Sequence, residues 1–274
     1  MKKYLIYLGH LGYHTPGTEM GAFPLSIGYL KAYAAKHLGR DVDIRLFIYP
    51  EPLMEALRNK RPDMLGLTAY IWNSVLSDAV FMYAKQLYPD LITVQGGPNY
   101  PLYVHNCEAY WQPKKAFLDF FIKGEGEEPF RKLLVHLMGI TKQMRKEDIT
   151  IPGIDYWSES ANQVIVRKEH ERIKNIDEEI PSPILTGTID EFIKLIPMIQ
   201  TTRGCPYTCQ FCHEAQTYYS KVYAMSYERV IDEINYIRNA GNTYPFLNIL
   251  DSNFGLFKRD INILRYLVDM RRKT

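Results

Sequence analysis

Residues 118–139 read LDFFIKGEGEEPFRKLLVHLMG. The stretch from Leu118 to Ile122 has the short, apolar, aromatic-rich character of a buried strand. A glycine–glutamate turn follows, and then an amphipathic helix that ends near Gly139. Glu125, Glu127 and Glu128 stand where the helix begins, the end of the helix dipole that favours negative charge. Gly124 and Gly126 shape the turn. The segment is one strand–turn–helix unit, and the same rhythm runs through everything before it.

Tyr4–Leu8 reads as a first strand. Pro24–His37 reads as a helix, with proline in its first turn, Ile27, Leu30, Ala34 and His37 on one face, and Gly39 after it. Asp43–Ile48 is a second strand, followed by a short helix started by Pro52. Met64–Thr68 is a third strand, and Ser74–Tyr88 a helix with Val75, Ala79, Met82 and Tyr83 at helical spacing. Leu91–Gln95 is a fourth strand, ending in Gly96-Gly97-Pro98. Five strands alternating with helices predict an α/β fold with a five-stranded, doubly wound parallel sheet. Ligands of such Rossmann-like sheets lie at the carboxyl ends of the strands.

Beyond Gly139 the rhythm breaks. Residues 140–194 read as a connecting segment with a hairpin around Ser158–Asn162. The βα pattern restarts at residue 195. Ile196–Thr201 is a strand, and a cysteine-rich loop follows it. Ser226 caps a helix carrying Val230, Ile234 and Ile237, with Gly241 at its end. FLNILD is the next strand, and Arg259–Arg271 the last helix. The expected organisation is a Rossmann-like domain over 1–139, the connection over 140–194, and two βα units over 195–274.

With 274 residues the chain is long enough for a large core. Its 46% apolar and 23% charged residues are those of a soluble globular protein. A formal net charge of +2 gives no reason to expect nucleic acid or an anionic membrane as partner. MKKYLIYLGH has too short an apolar run for a secretory signal, and no run approaches a membrane span. A cytoplasmic protein is expected.

Three of the four cysteines, Cys205, Cys209 and Cys212, lie in RGCPYTCQFC with the spacing C-x3-C-x2-C. Clustered thiols in a chain without export signals read as metal ligands rather than a disulfide framework. Thiolates suit iron–sulfur clusters and zinc. A [4Fe–4S] cube held by three cysteines keeps one iron open for a substrate or cofactor. The alternative is structural zinc held by the three cysteines and His213.

At these residues the chain resembles the radical S-adenosylmethionine superfamily, which carries this loop after the first strand of a partial (β/α) barrel, with an aromatic residue before the third cysteine. Phe211 has that place here. The resemblance implies a [4Fe–4S] cluster on Cys205, Cys209 and Cys212, with S-adenosylmethionine chelated to the open iron and cleaved to a 5′-deoxyadenosyl radical. It implies an adenine contact at Phe211 and an external electron donor such as flavodoxin or ferredoxin. Strand two of such a barrel ends in groups that hold the amino end of S-adenosylmethionine. Asp251, Ser252 and Asn253 are the candidates here, and a helix-capping turn is the competing reading.

The ordered set PLSIGYLKAY, GLTAY, VQGGPNYP and DFFIKGEGEEPF resembles the cobalamin-binding domain that precedes many of these barrels. The resemblance implies cobalamin contacts at Thr68, Gly96, Gly97 and Pro98, where the missing glycine side chains let a bulky ligand approach the backbone. The usual cobalamin motif D-x-H-x-x-G is met only in part by GYHTPG: His14 and Gly17 are in place, but Gly12 stands where the aspartate belongs. Without that partner His14 reads as a loop or pocket residue before it reads as a cobalt ligand. Cys107 reads as a packed or surface thiol, and Trp72, Trp111 and Trp157 as core or domain contacts.

The resemblance implies a cobalamin-type radical enzyme acting on a small molecule, with methyl transfer a common outcome. Only two of the roughly six βα units of a whole barrel are present, so the chain reads as truncated within the barrel. A non-catalytic cluster- or cobalamin-binding protein is the competing expectation, and a zinc-binding Rossmann-like regulator the third.

Overall fold

A computed structural model of the chain describes residues 3–13, 21–139 and 146–272. They fall into two compact units: residues 1–19 with 33–172, and residues 20–32 with 173–274.

The first unit is built on β1 (Tyr4–Gly9), the C-terminal part of α1 (Leu25–Leu38), β2 (Val42–Phe47), α2 (Pro50–Asn59), β3 (Met64–Thr68) and α3 (Ser74–Leu87). It continues through β4 (Ile92–Gly96), α4 (Val104–Trp111), β5 (Phe120–Ile122), α5 (Glu127–Met138), β6 (Ile154–Ser158) and β7 (Gln163–Ile165). Strand order is β2-β1-β3-β4-β5-β6-β7. The first five strands run parallel; β6 adds antiparallel to β5, and β7 antiparallel to β6. β3 and β5 are buried along their whole length, which is why they read as unbroken apolar runs. β2 is the outer strand and alternates in burial, as a strand with one wet face should.

The sheet has seven strands, not five. The hairpin expected within the connecting segment extends it, because Ile154, Tyr156 and Trp157 bury their side chains almost completely. An indole removes roughly 200 Å² from water, worth about 5 kcal/mol before entropy is counted. A free connector would forgo that gain. A buried polar chain also ties the hairpin down. Trp111 Nε1 donates to the Tyr100 hydroxyl at 2.8 Å, which donates to Asp155 at 2.9 Å, and Lys123 pairs with Asp155 at 3.1 Å.

Two further differences concern helices. α4 has no counterpart in the sequence reading. Its buried anchors, Cys107 and Trp111, stand one turn apart in an otherwise unpatterned stretch. In α3 the face at Val75 and Met82 is exposed, and Ser77, Val80, Phe81 and Ala84 are buried instead. Ser77 is pulled inward because its hydroxyl donates to the Thr68 carbonyl at 2.9 Å.

The second unit holds the N-terminal part of α1, a single helical turn α6 (Ile176–Glu179), β8 (Met198–Ile199), β9 (Thr202–Arg203), β10 (Tyr223–Ala224), α7 (Tyr227–Asn239), β11 (Asn248–Ile249) and α8 (Lys258–Arg272). β8 and β11 pair parallel, and β9 and β10 pair antiparallel across the cysteine loop. The two expected βα units are present, with shorter strands than the sequence predicts. β8 stops early because the Thr201 amide donates to the Asp251 side chain instead of a ladder carbonyl. Ser226 caps α7 as expected, accepting from the Arg229 amide at 3.3 Å. Arg229 is buried against α6, where it donates to the carbonyls of Ile176 and Ile180 at 2.9 Å and pairs with Glu233. No helix among the described residues is long and apolar enough to cross a membrane.

Candidate functional site

In the first unit the chain order reverses between β1 and β3, so the crevice for a ligand lies at their carboxyl ends. His10 follows β1, and its ring meets Tyr70 edge-on at 5.2 Å. Burial pulls the imidazole down to about 4, so the ring is neutral near pH 7. Asn73 is fully buried and joins the two strand exits, donating to the Leu11 carbonyl at 3.0 Å and to the Thr68 hydroxyl at 2.9 Å. Its own oxygen accepts from the Tyr70 amide at 2.8 Å. The Thr68 hydroxyl thus accepts from Asn73 and keeps its proton to donate.

Gly96 and Gly97 lie where the chain packs against its own backbone. Gly97 has φ +131°, and a Cβ there would lie 2.6 Å from the Ala69 carbonyl oxygen. The Ala69 amide donates to the Gly96 carbonyl at 2.7 Å, and the Asn99 amide to the Ala69 carbonyl at 2.9 Å. The absent Gly97 side chain therefore makes room for the backbone of β3's exit, while at Gly96 a Cβ would face the Ile122 carbonyl of β5 at 3.3 Å. Gly97 and Pro98 are themselves exposed at this edge.

Beside them stands an apolar rim. Ile71 is 83% exposed, Trp72 56% and Val75 77% after β3; Leu102, Tyr103 and Val104 are exposed after β4. Trp72 stacks on Tyr70 at 4.5 Å. Trp111 and Trp157 fill the core as expected, and Cys107 is packed there too, but Trp72 does not. Its flanking residues leave β3's edge on a turn, where an indole finds no interior to enter. His14 lies outside the described residues.

The second unit carries the cysteine loop. Gly204, at φ +102°, turns the chain out of β9. Cys205 is buried, and its amide donates to the Tyr219 carbonyl at 2.9 Å. Cys209 is exposed and Cys212 half-buried, with the Cys212 amide on the Cys209 carbonyl at 3.0 Å. All three are free thiols. Three uncrosslinked thiols on one loop form the soft donor set that an iron–sulfur cluster takes. Among the described residues no three His, Cys, Asp or Glu side chains are drawn together around a metal position, and this includes His213. The donors fit a cluster by chemistry and spacing, and holding it requires the three thiols to be drawn together. Phe211 is 93% exposed, its ring unused by the interior.

Asp251, Ser252 and Asn253 bond before, after and within the cysteine loop respectively. Asp251 Oδ1 accepts the amides of Thr201 at 2.6 Å and Thr202 at 3.0 Å, and Oδ2 accepts the Thr201 hydroxyl. The Ser252 hydroxyl donates to Glu214. Asn253 Nδ2 lies 2.9 Å from Cys205 Sγ. The start of α8 is held by Asp260, which accepts the amides of Gly255 and Phe257 at 3.0 Å, so the 251–253 turn is not its cap.

The sequence reading missed Thr201 and Arg259. Arg259 donates to the Thr201 carbonyl at 2.7 Å and to its hydroxyl at 3.1 Å, and also bonds the Met225 carbonyl. These partners lie up to 58 residues away, and nothing local announces them. His10 and Asn73 were likewise missed; an Asn just before a helix is ordinarily read as a cap.

Residues 19–134 match the B12 binding domain family. Over 266 residues the chain is 29% identical to the cobalamin-dependent radical SAM methyltransferase TokK of Streptomyces tokunonensis. Over 263 residues it is 28% identical to the 2-(S-pantetheinyl)-carbapenam-3-carboxylate methyltransferase of Streptantibioticus cattleyicolor. Each match covers 92% of this chain and 37% of the relative, so the chain spans little more than a third of their length. The radical S-adenosylmethionine methyltransferase TsrM from Kitasatospora setae shares the fold, with TM-score 0.67 at 16% identity over 99% of this chain and 52% of that one. The doubly wound sheet, the cysteine loop after it and these likenesses agree: residues 19–134 match the B12 binding domain family, and over 92% of its length the chain is similar to a cobalamin-dependent radical S-adenosylmethionine methyltransferase.

Proposed function

We propose that the chain binds a [4Fe–4S] cluster through Cys205, Cys209 and Cys212, S-adenosylmethionine beside it, and cobalamin at the carboxyl edge of the seven-stranded sheet. Its reaction is radical-initiated modification of a small-molecule substrate, with methyl transfer the outcome that the relatives' names support. The observation that carries this reading is the loop of three free thiols at C-x3-C-x2-C spacing. Bound, the cluster supplies the electron that cleaves S-adenosylmethionine, and cobalamin supplies a methyl carrier.

The chain's own groups have distinct tasks. The Phe211 ring is free to stack on adenine. The Asp251 carboxylate spends three acceptor positions on Thr201 and Thr202 and retains one for an ammonium donor. In the first unit Thr68 offers a hydroxyl proton, and the exposed rim of Ile71, Trp72, Val75 and Tyr103 offers an apolar face suited to a corrin. Gly96, Gly97 and Pro98 keep that edge low. A flavodoxin- or ferredoxin-type donor supplies the electron, and a reducing cytoplasm suits the free thiols.

A second reading is cluster or cobalamin binding without turnover, which the match of residues 19–134 to the B12 binding domain family supports by itself. Two measurements separate them. Hydroxocobalamin should co-elute with the chain on gel filtration. Anaerobically reconstituted chain with dithionite and S-adenosylmethionine should form 5′-deoxyadenosine. Cobalamin retention without 5′-deoxyadenosine supports the second reading, and a colourless chain holding one zinc overturns both.

A further inference from the structure

We infer that Asn253 is a positioning residue that donates its side-chain amide to the sulfur of Cys205 and thereby raises the reduction potential of the cluster this thiolate holds. The inference rests on the cluster reading above and adds a role that the cysteine spacing does not contain.

Cys205 differs from the other two thiols. It is the buried one, fixed at its backbone by Tyr219, while Cys209 is exposed and Cys212 half-buried. Its sulfur also has a side-chain amide at hydrogen-bond distance, Asn253 Nδ2 at 2.9 Å. Asn253 is held in place by its neighbours. Asp251 anchors to Thr201 and Thr202 ahead of the cysteine, and Ser252 anchors to Glu214 behind the last one. Three successive residues thus clasp the loop before, at and after its metal-binding stretch.

The orientation of the amide follows from charge. A cluster-bound sulfur is a thiolate, which accepts and does not donate. Turning the amide over would set its oxygen against that negative sulfur, so the nitrogen must face it. Reduction adds one electron, and part of the added charge resides on the sulfurs. A donor aimed at a sulfur stabilises the reduced form more than the oxidised form, and hydrogen bonds to sulfur are among the levers that set cluster potentials.

The test uses the whole chain in two states. Without metal, the Asn253 side-chain amide is followed by ¹⁵N NMR. Its resonance should move on Cys205→Ala and stay on Cys209→Ala. With the cluster reconstituted, the midpoint potential is measured in wild type, Asn253→Ala and the isosteric Asn253→Asp. The potential should become more negative in Asn253→Ala and more negative still in Asn253→Asp, with iron content unchanged. An amide resonance indifferent to Cys205, or a loaded cluster whose potential is the same in all three, overturns this inference alone. A wild-type chain that takes up no cluster overturns the cluster reading and this inference with it.

Discussion

The Asp251 carboxylate receives both polar protons of Thr201: the amide on Oδ1 at 2.6 Å and the hydroxyl on Oδ2. Thr201 stands four residues ahead of Cys205, so this pair fixes where the cysteine loop leaves the parallel strands. Removing the carboxylate orphans the Thr201 and Thr202 amides. Asp251→Ala should cost about 1–3 kcal/mol. Asp251→Asn, which keeps an acceptor oxygen, should cost roughly half as much. Urea unfolding measures both, and amide exchange at Thr201 and Thr202 should accelerate in the alanine variant.

Gly97 and Gly12 make a paired prediction. Gly97 has φ +131° and its missing Cβ would meet the Ala69 backbone at 2.6 Å, whereas Gly12 has only the Ile48 carbonyl at 3.8 Å. Gly97→Ala should lose about 1–3 kcal/mol from backbone strain alone. Gly12→Ala should stay within about 0.5 kcal/mol of wild type. Thermal unfolding of the two variants compares them directly; equal losses would sink the close-approach explanation of the GGP turn.

His10 makes stability depend on pH. Its pKa falls from the ordinary 6.5 to about 4 because burial penalises the charged ring. Between those values the unfolded chain binds more protons than the folded one. The contribution is therefore full above pH 6.5, declines as pH falls towards 4, and is lost below it. Urea midpoints from pH 7 to 4 should drop more steeply in wild type than in His10→Gln. Parallel pH curves would place the imidazole in water.

Trp157 tests the hairpin's place in the sheet. Its indole is fully buried on β6 and belongs to the same core as Leu65, Phe81 and Phe121. Trp157→Ala should destabilise the first unit by about 3–5 kcal/mol. A loss below about 1 kcal/mol would make the hairpin the loose connector that its turn-rich surroundings suggest.

The parallel strands were legible because two-sided burial writes itself as unbroken apolar runs such as Met64–Leu67. The thiol loop was legible because C-x3-C-x2-C constrains chemistry whatever surrounds it. What escaped depends on long-range pairing. Val164 in β7 gives no local sign that its strand extends a parallel sheet. Ser77 faces inward only because Thr68 offers it a carbonyl, which inverts the apolar face that Val75 and Met82 imply. Asp251 was legible as a polar turn residue at a strand end. Its partners Thr201 and Thr202 are 50 and 49 residues away and could not be read from spacing.

The thiol loop is tested most directly by anaerobic reconstitution with iron and sulfide, followed by metal analysis of the desalted chain. About four irons and four sulfides per chain are expected in wild type. The single variants Cys205→Ala, Cys209→Ala and Cys212→Ala should each lose most of both, and His213→Ala should retain them. Wild-type chain that carries one zinc and no sulfide, or a His213→Ala variant that loses its metal along with the cysteine variants, would contradict the assignment.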